Sequence, residues 1–271
     1  MKIILHKNKL QRLIQGEKRL GFVPTMGAIH KGHLSLIKKS ISQCNKTIVS
    51  IFINKGQFNK KRDYLLYPRL INRDISIIKK LKVDYLFIPA HKNIYPNGPS
   101  KIIKISPFSK KLCGKNRPGH FESVADVIDR FLSIIKPKFI YLGMKDFQQV
   151  RIIEDNIVRK KISTKVIECK TIREKNGIAC STRNNNLNKK EINIVSNAIK
   201  YLKSKKKLIK KNISNFRLVD IKNNLINLGV TKIEYIELYN LKTLKRPKNK
   251  REKFKIFIAF YLNKTRLIDN I

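Results

Sequence analysis

The first two thirds of the chain alternate between short segments rich in β-branched and aromatic residues and longer segments with helical periodicity. This alternation is typical of parallel strands joined by crossover helices, because a parallel strand is reached only through a long connection. The pattern therefore predicts an α/β domain with a Rossmann-like parallel sheet. Its predicted strands are 19–24, 47–54, 85–90, 139–143 and 164–170, and its predicted helices are 32–44, 67–81, 121–136 and 146–160.

Residues 91–118 interrupt the alternation. They are rich in Pro, Gly, Asn and Ser around a short strand-like segment, 101–106. Such a composition favours turns over regular structure. We predict an irregular excursion with a flexible loop.

Beyond residue 175 helices precede strands instead of alternating with them. Asn188 and Glu191 form the sequence signature of a capping box, and a second predicted helix, 216–228, ends before a glycine. Segments 232–239 and 254–262 then alternate like paired antiparallel strands. We predict two domains, 1–175 and a smaller α+β domain at 176–271.

Composition excludes several classes of protein. Hydrophobic residues make up 42% of the sequence, and the longest uninterrupted apolar stretch is 256–262. That stretch is far shorter than the roughly 18 residues of a membrane span, and the N-terminal apolar run is too short for a signal peptide. We therefore expect no membrane partner and a cytoplasmic location. We also expect reduced cysteines, because the four cysteines have neither the spacing of a zinc ribbon nor that of a redox pair.

Charge is the most unusual property of the composition. The sequence has 61 Lys and Arg against 18 Asp and Glu, a formal net charge of +43. A nucleic-acid-binding protein would concentrate this excess, yet residues 1–175 carry net +26 and residues 176–271 net +17. With 42 Ile but only 6 Ala, the composition indicates codon drift, and we predict no specific nucleic-acid partner. Only the dense runs 203–211 and 242–255 keep that alternative open.

The first predicted strand ends in Pro-Thr-Met-Gly-Ala-Ile-His-Lys-Gly-His, residues 24–33. His30 and His33 would lie at a helix N-terminus, with Gly27 and Gly32 leaving the backbone bare. Backbone N–H groups and the helix dipole favour an anion there, so the segment predicts a cradle for a triphosphate. Two alternatives stay open: two structural histidines, or a metal pair, which needs a third ligand that the other histidines do not obviously supply.

The His-x-Gly-His spacing is similar to the signature of the nucleotidyltransferase superfamily, which includes class I aminoacyl-tRNA synthetases, cytidylyltransferases and adenylate-forming ligases. The preceding Pro-Thr-Met-Gly resembles the pantothenate synthetase (pantoate–β-alanine ligase) family. Five further blocks follow in the family's order, which makes the resemblance specific. They are Val-Ser-Ile-Phe-Ile-Asn at 49–54 with Gln57-Phe58, Tyr-Pro-Arg at 67–69, Arg-Pro-Gly-His-Phe at 117–121, Lys-Asp-Phe-Gln-Gln at 145–149, and Arg173-Glu174 with Gly177 and Ser-Thr-Arg-Asn at 181–184.

The resemblance implies a two-step reaction. ATP and (R)-pantoate would give pantoyl adenylate and pyrophosphate, and β-alanine would then displace AMP to give pantothenate. It also implies Mg²⁺ with ligands not assigned, a homodimer, a catalytic domain at 1–175 that binds ATP and pantoate, and a lid domain at 176–271.

Family analogy assigns the phosphate contacts. His33, His30 and Lys145 are the catalytic candidates, because charge builds on phosphate oxygens when a carboxylate attacks the α-phosphorus. Without this analogy, a lysine at the start of a helix is usually a solvent-exposed side chain with no role in a site. The ATP-binding candidates are Met26, Gly27, Ala28, Ile29, His30, Lys31, Gly32, His33, Gly143, Met144, Lys145, Asp146, Ile172, Cys180, Ser181, Thr182 and Arg183.

The same analogy assigns the two acyl substrates. Gln57 and Gln149 would contact pantoate, since amides read hydroxyl groups as donor and acceptor without blunting a nucleophilic carboxylate. Asn54 and Gln57 would contact β-alanine, although Asn54 could instead be a simple cap. Arg117 and His120 would face the acyl group or, alternatively, tie down their own loop.

The chain departs from the family pattern at four places, none of which removes a predicted contact residue. They leave the positioning of metal and loop open. Lys55 and Gly56 follow Asn54 where Pro is common, Ser123 stands where Gly is common, Met144 replaces a usual Glu, and Arg62 precedes Asp63 in place of an acidic pair.

Two other functions compete with this hypothesis. Another adenylate-forming or nucleotidyl-transferring member of the superfamily would share the histidine motif, but no Lys-Met-Ser-Lys-Ser-like loop of a class I synthetase follows it. An RNA-binding module is supported only by charge. Single-strand binders use stacking aromatics, whereas this sequence lacks Trp and its Phe and Tyr fall mainly on apolar strand positions.

Overall fold

The computed structural model describes residues 1–212, 217–249 and 251–271. The chain forms two compact units, Met1–Lys170 and Thr171–Ile271. The division therefore lies five residues ahead of the predicted one. The predicted start of a helix at Phe216 and the Lys250 of the basic run 242–255 lie outside the described residues.

The first unit is built on a six-stranded sheet in the order β1-β4-β3-β2-β5-β6, and every pairing in it is parallel. The α/β architecture predicted from the alternating pattern is confirmed. The strands are β1 Lys2–Ile4, β2 Leu20–Thr25, β3 Lys46–Ile51, β4 Tyr85–Phe87, β5 Phe139–Gly143 and β6 Lys165–Cys169. The helices are α1 Lys7–Leu13, α2 Lys31–Gln43, α3 Lys61–Leu65, α4 Ile71–Lys80, α5 His91–Ile94, α6 Leu112–Lys115, α7 His120–Ile135 and α8 Phe147–Arg159.

The order of strands contains one reversal. From β2 the chain proceeds through β3 to β4 on one side, and it then returns to place β5 and β6 on the other side of β2. In open parallel sheets the crevice outside the carboxyl ends at such a reversal is the usual ligand site. The ends of β2 and β5 therefore mark the expected place of function.

The central strands are covered on both faces, which explains their nearly continuous apolar sequences. Phe22 and Ile48 point into a core shared with α1, α7 and α8, whereas Val23 and Val49 point into a second core shared with α2 and α4. The Phe22 and Phe131 rings lie 5.4 Å apart. These two cores hold the strand ends in fixed positions.

In its described residues, the second unit pairs two helices with a three-stranded antiparallel sheet, β7-β8-β9. The capping box is present: Glu191 N–H donates to Asn188 Oδ1, and Asn188 N–H donates to Glu191 Oε2, both at 2.9 Å. The smaller α+β architecture is confirmed. Its elements are α9 Lys189–Lys211, α10 Leu218–Asn227, β7 Lys232–Asn240, β8 Phe254–Leu262 and β9 Thr265–Asn270.

Several predicted elements differ from those observed. The strand-like segment 101–106 is not a strand; it has no partner in the sheet, and Ile102 is 82% exposed. Helix α4 begins at Ile71 and not at residue 67, because Pro68 disfavours a helical backbone at the residue that precedes it. Strand β3 ends at Ile51, three residues early.

Six elements were not predicted: β1, α1, α3, α5, α6 and β9. The five of these in the first unit have only three to seven residues, too few to repeat a strand or helix pattern several times. Strand β9 completes the second sheet beside β8. Four cysteines (Cys44, Cys113, Cys169 and Cys180) are free thiols, as expected. Among the described residues, no helix combines the length and apolarity needed to cross a bilayer.

Candidate active site

The carboxyl end of β2 turns sharply before α2. Gly27 and Ala28 both have positive φ, 81° and 50°, a conformation that costs Ala28 strain. The turn is held by Asp74 of α4, whose carboxylate accepts from Ala28 N–H at 2.7 Å and from Ile29 N–H at 2.8 Å. A Cβ at Gly27 would lie 3.0 Å from Asp74 Oδ2, so a side chain there would be crowded as well as strained by the positive φ.

His30 and His33 cap the N-terminus of α2 reciprocally. Nδ1 of His30 accepts from Gly32 N–H at 3.1 Å, and Nδ1 of His33 accepts from His30 N–H at 3.4 Å. An imidazole nitrogen that accepts carries no proton, so this geometry assigns both rings as neutral tautomers with the proton on Nε2. Both Nε2–H groups are donors.

The two rings stack with centroids 4.0 Å apart. Burial, the neighbouring His30 and then Lys145 lower the pKa of His33 from 6.5 to about 3. The ring is therefore a neutral donor at physiological pH. In these tautomers Nδ1 accepts a hydrogen bond and Nε2 carries the proton, so the bonds at Nδ1 do not favour metal binding by this pair.

Lys145 approaches the same place from β5. A short 3₁₀ helix, Met144–Asp146, follows the strand directly, and a Cβ at Gly143 would meet no atom within 4 Å. The Lys145 side chain is 18% exposed, with Nζ 3.6 Å from Asp146 Oδ1, and its charge acts on His33. The structure thus brings the three catalytic candidates His30, His33 and Lys145 together. Of the neighbouring ATP-binding candidates, Lys31 is exposed at the start of α2 and Met26 is half-buried.

Asn54 follows the end of β3, the strand next to β2. Its Nδ2 donates to the Ser123 carbonyl at 3.1 Å, and its Oδ1 accepts from the Tyr95 hydroxyl at 3.3 Å. Asn54 is buried and heads the 3₁₀ helix Lys55–Gln57 without a side-chain cap. Its amide therefore fixes this segment to α7, which rules out the simple cap.

Gln57 is held through its main chain. Its carbonyl accepts from Arg117 Nη2 at 2.8 Å and from His120 Nδ1 at 2.9 Å. Arg117 Nη1 lies 3.1 Å from His120 Nε2 and can only donate, so His120 is a neutral ring protonated on Nδ1. These two residues therefore join their own loop to the Gln57 segment.

Two departures from the family pattern compensate each other in space. A Cβ at Gly56 would lie 2.9 Å from Ser123 Oγ and 3.3 Å from Ser123 Cβ. The family's usual glycine at the position of Ser123 would leave this space open. The missing side chain at Gly56 thus accommodates the extra one at Ser123.

We therefore expect Gly56→Ala to lower the free energy of unfolding by about 1–3 kcal/mol through overpacking. Adding Ser123→Gly should restore most of the lost free energy of unfolding, apart from the roughly 0.5 kcal/mol by which the new glycine destabilises its helix. Urea denaturation of the two single variants and the double variant measures the coupling. Gly143→Ala is the matched stability control, and additive single effects would contradict the compensation.

Helix α8 carries two neighbouring glutamines with different surroundings. Gln148 is buried and ties the excursion to α8: it donates to the Phe108 and Lys111 carbonyls and accepts from Cys113 N–H. Gln149 is half-buried in the first turn of the helix. Parallel strands end at one edge of a sheet, so Gln149, Lys145, the histidines and Gln57 follow three adjacent strand ends.

The remaining predicted phosphate contacts lie in the second unit. Ser181 caps the short 3₁₀ helix Thr182–Asn186, accepting from Arg183 N–H at 3.3 Å, and Cys180 is buried with its thiol donating to Glu174. Ile172 accepts from Cys180 N–H at 2.9 Å through its carbonyl.

Arg173 holds this segment to β9. Its two terminal nitrogens donate to the two Asp269 oxygens at 2.7 and 2.9 Å, and Asp269 is buried. Arg173 also donates to the Gly177 carbonyl. The pair therefore fastens the segment that carries Ser181, Thr182 and Arg183.

Asp269→Ala should lower the free energy of unfolding by about 1.5–3 kcal/mol, because Arg173 loses its charged bidentate partner. Thermal denaturation followed by circular dichroism measures this loss. Asp220→Ala, an exposed acid of the same unit, is the control. An unchanged midpoint for Asp269→Ala would contradict the fastening role.

A sequence profile described as pantoate-beta-alanine ligase matches residues 2–271. The chain belongs to the pantoate–β-alanine ligase family.

Curated members of the pantoate–β-alanine ligase family are similar along almost their whole length. A pantothenate synthetase of Pseudothermotoga lettingae is 39% identical over 272 residues, covering 100% of this chain and 97% of the relative. One of Francisella tularensis subsp. mediasiatica is 41% identical over 257 residues, covering 94% and 89%.

Solved structures of the pantoate–β-alanine ligase family share the fold. The Francisella tularensis ligase complexed with beta-gamma ATP and beta-alanine has a TM-score of 0.83 at 38% identity, covering 100% of this chain and 97% of that one. Pantothenate synthetase from Thermus thermophilus has a TM-score of 0.89 at 27% identity, covering 100% and 99%.

Sequence reasoning missed two residues in this member of the pantoate–β-alanine ligase family. Asp74 lies 45 residues from its partner Ile29, and Tyr95 lies in the irregular excursion. A single acid inside an amphipathic helix was the available signal for Asp74, since a buried carboxylate needs partners. Nothing in the sequence pattern marked Tyr95.

Proposed function

We propose that this chain condenses (R)-pantoate with β-alanine in an ATP-dependent reaction through pantoyl adenylate, releasing AMP and pyrophosphate. The observation that carries the proposal is the set of donors at adjacent strand ends. His30 and His33 present neutral Nε2–H groups after β2, and Lys145 presents a charge after β5. Family membership supports the same activity.

In the first step, the pantoate carboxylate attacks the α-phosphorus, and negative charge builds on the phosphate oxygens and the leaving pyrophosphate. His33 Nε2–H donates to these oxygens with His30 beside it, and Lys145 contributes a point charge. These donors are preorganised by the capping box and the strand ends, so they need no reorganisation during the reaction.

Pantoate binds to Gln57 and Gln149 in this proposal, and β-alanine to Gln57 and Asn54. The restraint of the Gln57 main chain by Arg117 and His120 supports the role, because a side chain can orient a substrate only from a fixed backbone. Asn54 retains one amide hydrogen beyond its contact with Ser123. In the second step, the amine of β-alanine attacks the acyl carbon and AMP leaves.

The proposal gives each unit a task. The first unit is the catalytic domain that binds ATP and pantoate, and the second acts as a lid that supplies Ser181, Thr182 and Arg183 to the β- and γ-phosphates. The Arg173–Asp269 pair supports this assignment by fastening the segment that carries them.

Mg²⁺ accompanies ATP in the proposed reaction. Magnesium is usually held by one or two carboxylates together with substrate phosphates. Asp146 fits this requirement: its carboxylate is exposed at the end of β5, beside Lys145. When bound, the ion would neutralise charge on the phosphates.

The proposal also includes a cytoplasmic homodimer. Four exposed apolar side chains within seven residues (Leu65, Leu66, Leu70 and Ile71) favour association, and four free thiols fit a reducing compartment. Light scattering tests the dimer directly; a monomer at micromolar concentration contradicts it.

Pyrophosphate exchange into ATP tests the activity. We expect exchange that requires pantoate and Mg²⁺ but not β-alanine, because the activating site is complete before the amine arrives. Pantothenate should form only when β-alanine is added. Exchange that requires β-alanine, or that proceeds equally with free amino acids, contradicts the proposed function and favours another adenylate-forming activity.

A further inference from the structure

Asp74 is a buried acid without a role in the proposed chemistry. It is 1% exposed and lies in the first turn of α4, where the helix dipole stabilises its charge. Its two oxygens accept from the consecutive amides of Ala28 and Ile29. The Ala28 amide follows Gly27 and the Ile29 amide follows Ala28, and both preceding residues have positive φ. Together the two amides form a small concavity of the kind that binds anions.

The concavity is therefore already filled by the protein's own carboxylate. Ala28 and Ile29 are among the residues that the sequence predicted as ATP contacts, and their amides donate to Asp74. Phosphate contacts at this turn fall to the histidines that follow it. The position of His30 and His33 depends on the turn, because Ile29 joins it directly to the capping box.

We propose that Asp74 is a positioning residue: by clamping the Ala28 and Ile29 amides, it sets the turn that places the His30–His33 pair for phosphoryl transfer. The inference rests on the proposed function for its catalytic consequence. Its structural part concerns the turn and the capping box alone. That part can be tested without turnover.

The titration of His33 is the most direct readout. Burial lowers the pKa of His33 most, and the neighbouring His30 and then Lys145 lower it further. If Asp74 acted only through its charge, removing that charge would lower the pKa of His33 further. If Asp74 positions the turn, its removal frees the ring to solvate, and the pKa rises toward its ordinary value. The two roles thus predict opposite signs.

The experiment compares the full-length chain with Asp74→Ala by NMR, following the His33 ring between pH 5 and 8 and the exchange of the Ala28 and Ile29 amides. His33→Gln assigns the ring signal. We expect no His33 inflection in the parent protein. In Asp74→Ala we expect a midpoint within about one unit of 6.5 and at least tenfold faster exchange of the two amides.

Activity gives a second readout. Pyrophosphate exchange by Asp74→Ala should lose about 10- to 100-fold in kcat, with KM for ATP changed less than threefold, because a misplaced donor harms the transition state more than binding. Asp74→Asn retains one acceptor oxygen, so its kcat should lie between those of the parent protein and Asp74→Ala. This variant keeps the test available if Asp74→Ala does not fold. Asp155→Asn, an exposed acid on α8, is the control and should match the parent.

Protected Ala28 and Ile29 amides with an unchanged or lower His33 pKa in the folded Asp74 variants would overturn the proposal. So would equal losses of kcat in Asp74→Asn and Asp155→Asn. If the parent protein shows no pantoate-dependent exchange, the proposed function fails, while the titration and amide exchange still decide the role of Asp74.

Discussion

A His33→Ala protein is expected to lose pyrophosphate exchange by about 10² to 10³, roughly 3 to 4 kcal/mol, which is typical of removing one preorganised donor. The second half-reaction should be spared. When pantoyl adenylate is supplied with β-alanine, the variant should form pantothenate within about tenfold of the parent rate. The difference arises because phosphate charge builds up mainly while ATP is attacked.

The same measurement on His6→Ala provides the control. His6 is exposed and makes no side-chain capping bond at the start of α1, so both half-reactions should be unchanged.

The pKa of His33 is about 3, so the ring stays neutral and keeps its donor across the assay range. The exchange rate should therefore show no inflection from His33 between pH 5 and 8. Equal losses in both half-reactions would mean that His33 organises the whole pocket.

Lys145→Ala is expected to lower the adenylation rate by about 10², roughly 2.7 kcal/mol, with little change in stability. The charge of Lys145 lies at the strand end near His33 and Asp146 and not in the hydrophobic core. Stopped-flow formation of pantoyl adenylate measures the rate, and thermal denaturation measures the stability.

Lys38→Ala removes the same charge from an exposed position of α2. Because the protein carries net +43, this control separates a local contact from the general field of the molecule. A Lys145 variant whose remaining activity follows only its folded fraction would show that the lysine is structural.

The sequence predicted those parts of the fold that local patterns encode. The bounds of β5 and β8 were predicted to the residue, because both segments carry strong apolar patterns between clear interruptions. Strand β1 has only three residues, too few for a pattern, and it belongs to the sheet only through its pairing with β4. The segment 101–106 shows the converse: a strand-like composition forms no strand without a free partner.

The candidate site divides in the same way. The strand-end motifs with His30, His33 and Lys145 could be found from residue order and family resemblance. The protonation of the histidine rings could not, because it follows from which main-chain groups each Nδ1 meets. Asp74 escaped for a related reason: its partners are main-chain amides, which leave no trace in the identity of Ala28 or Ile29.

The reciprocal cap of α2 has a consequence for laboratory evolution. Histidine is a poorer helix cap than Ser, Asp or Asn, so selection for heat resistance alone should favour replacing His30. Such variants would keep the helix start and lose a ring that the chemistry uses. A screen of this protein for thermal stability should therefore enrich robust but inactive variants at residue 30, unless turnover is selected in every round.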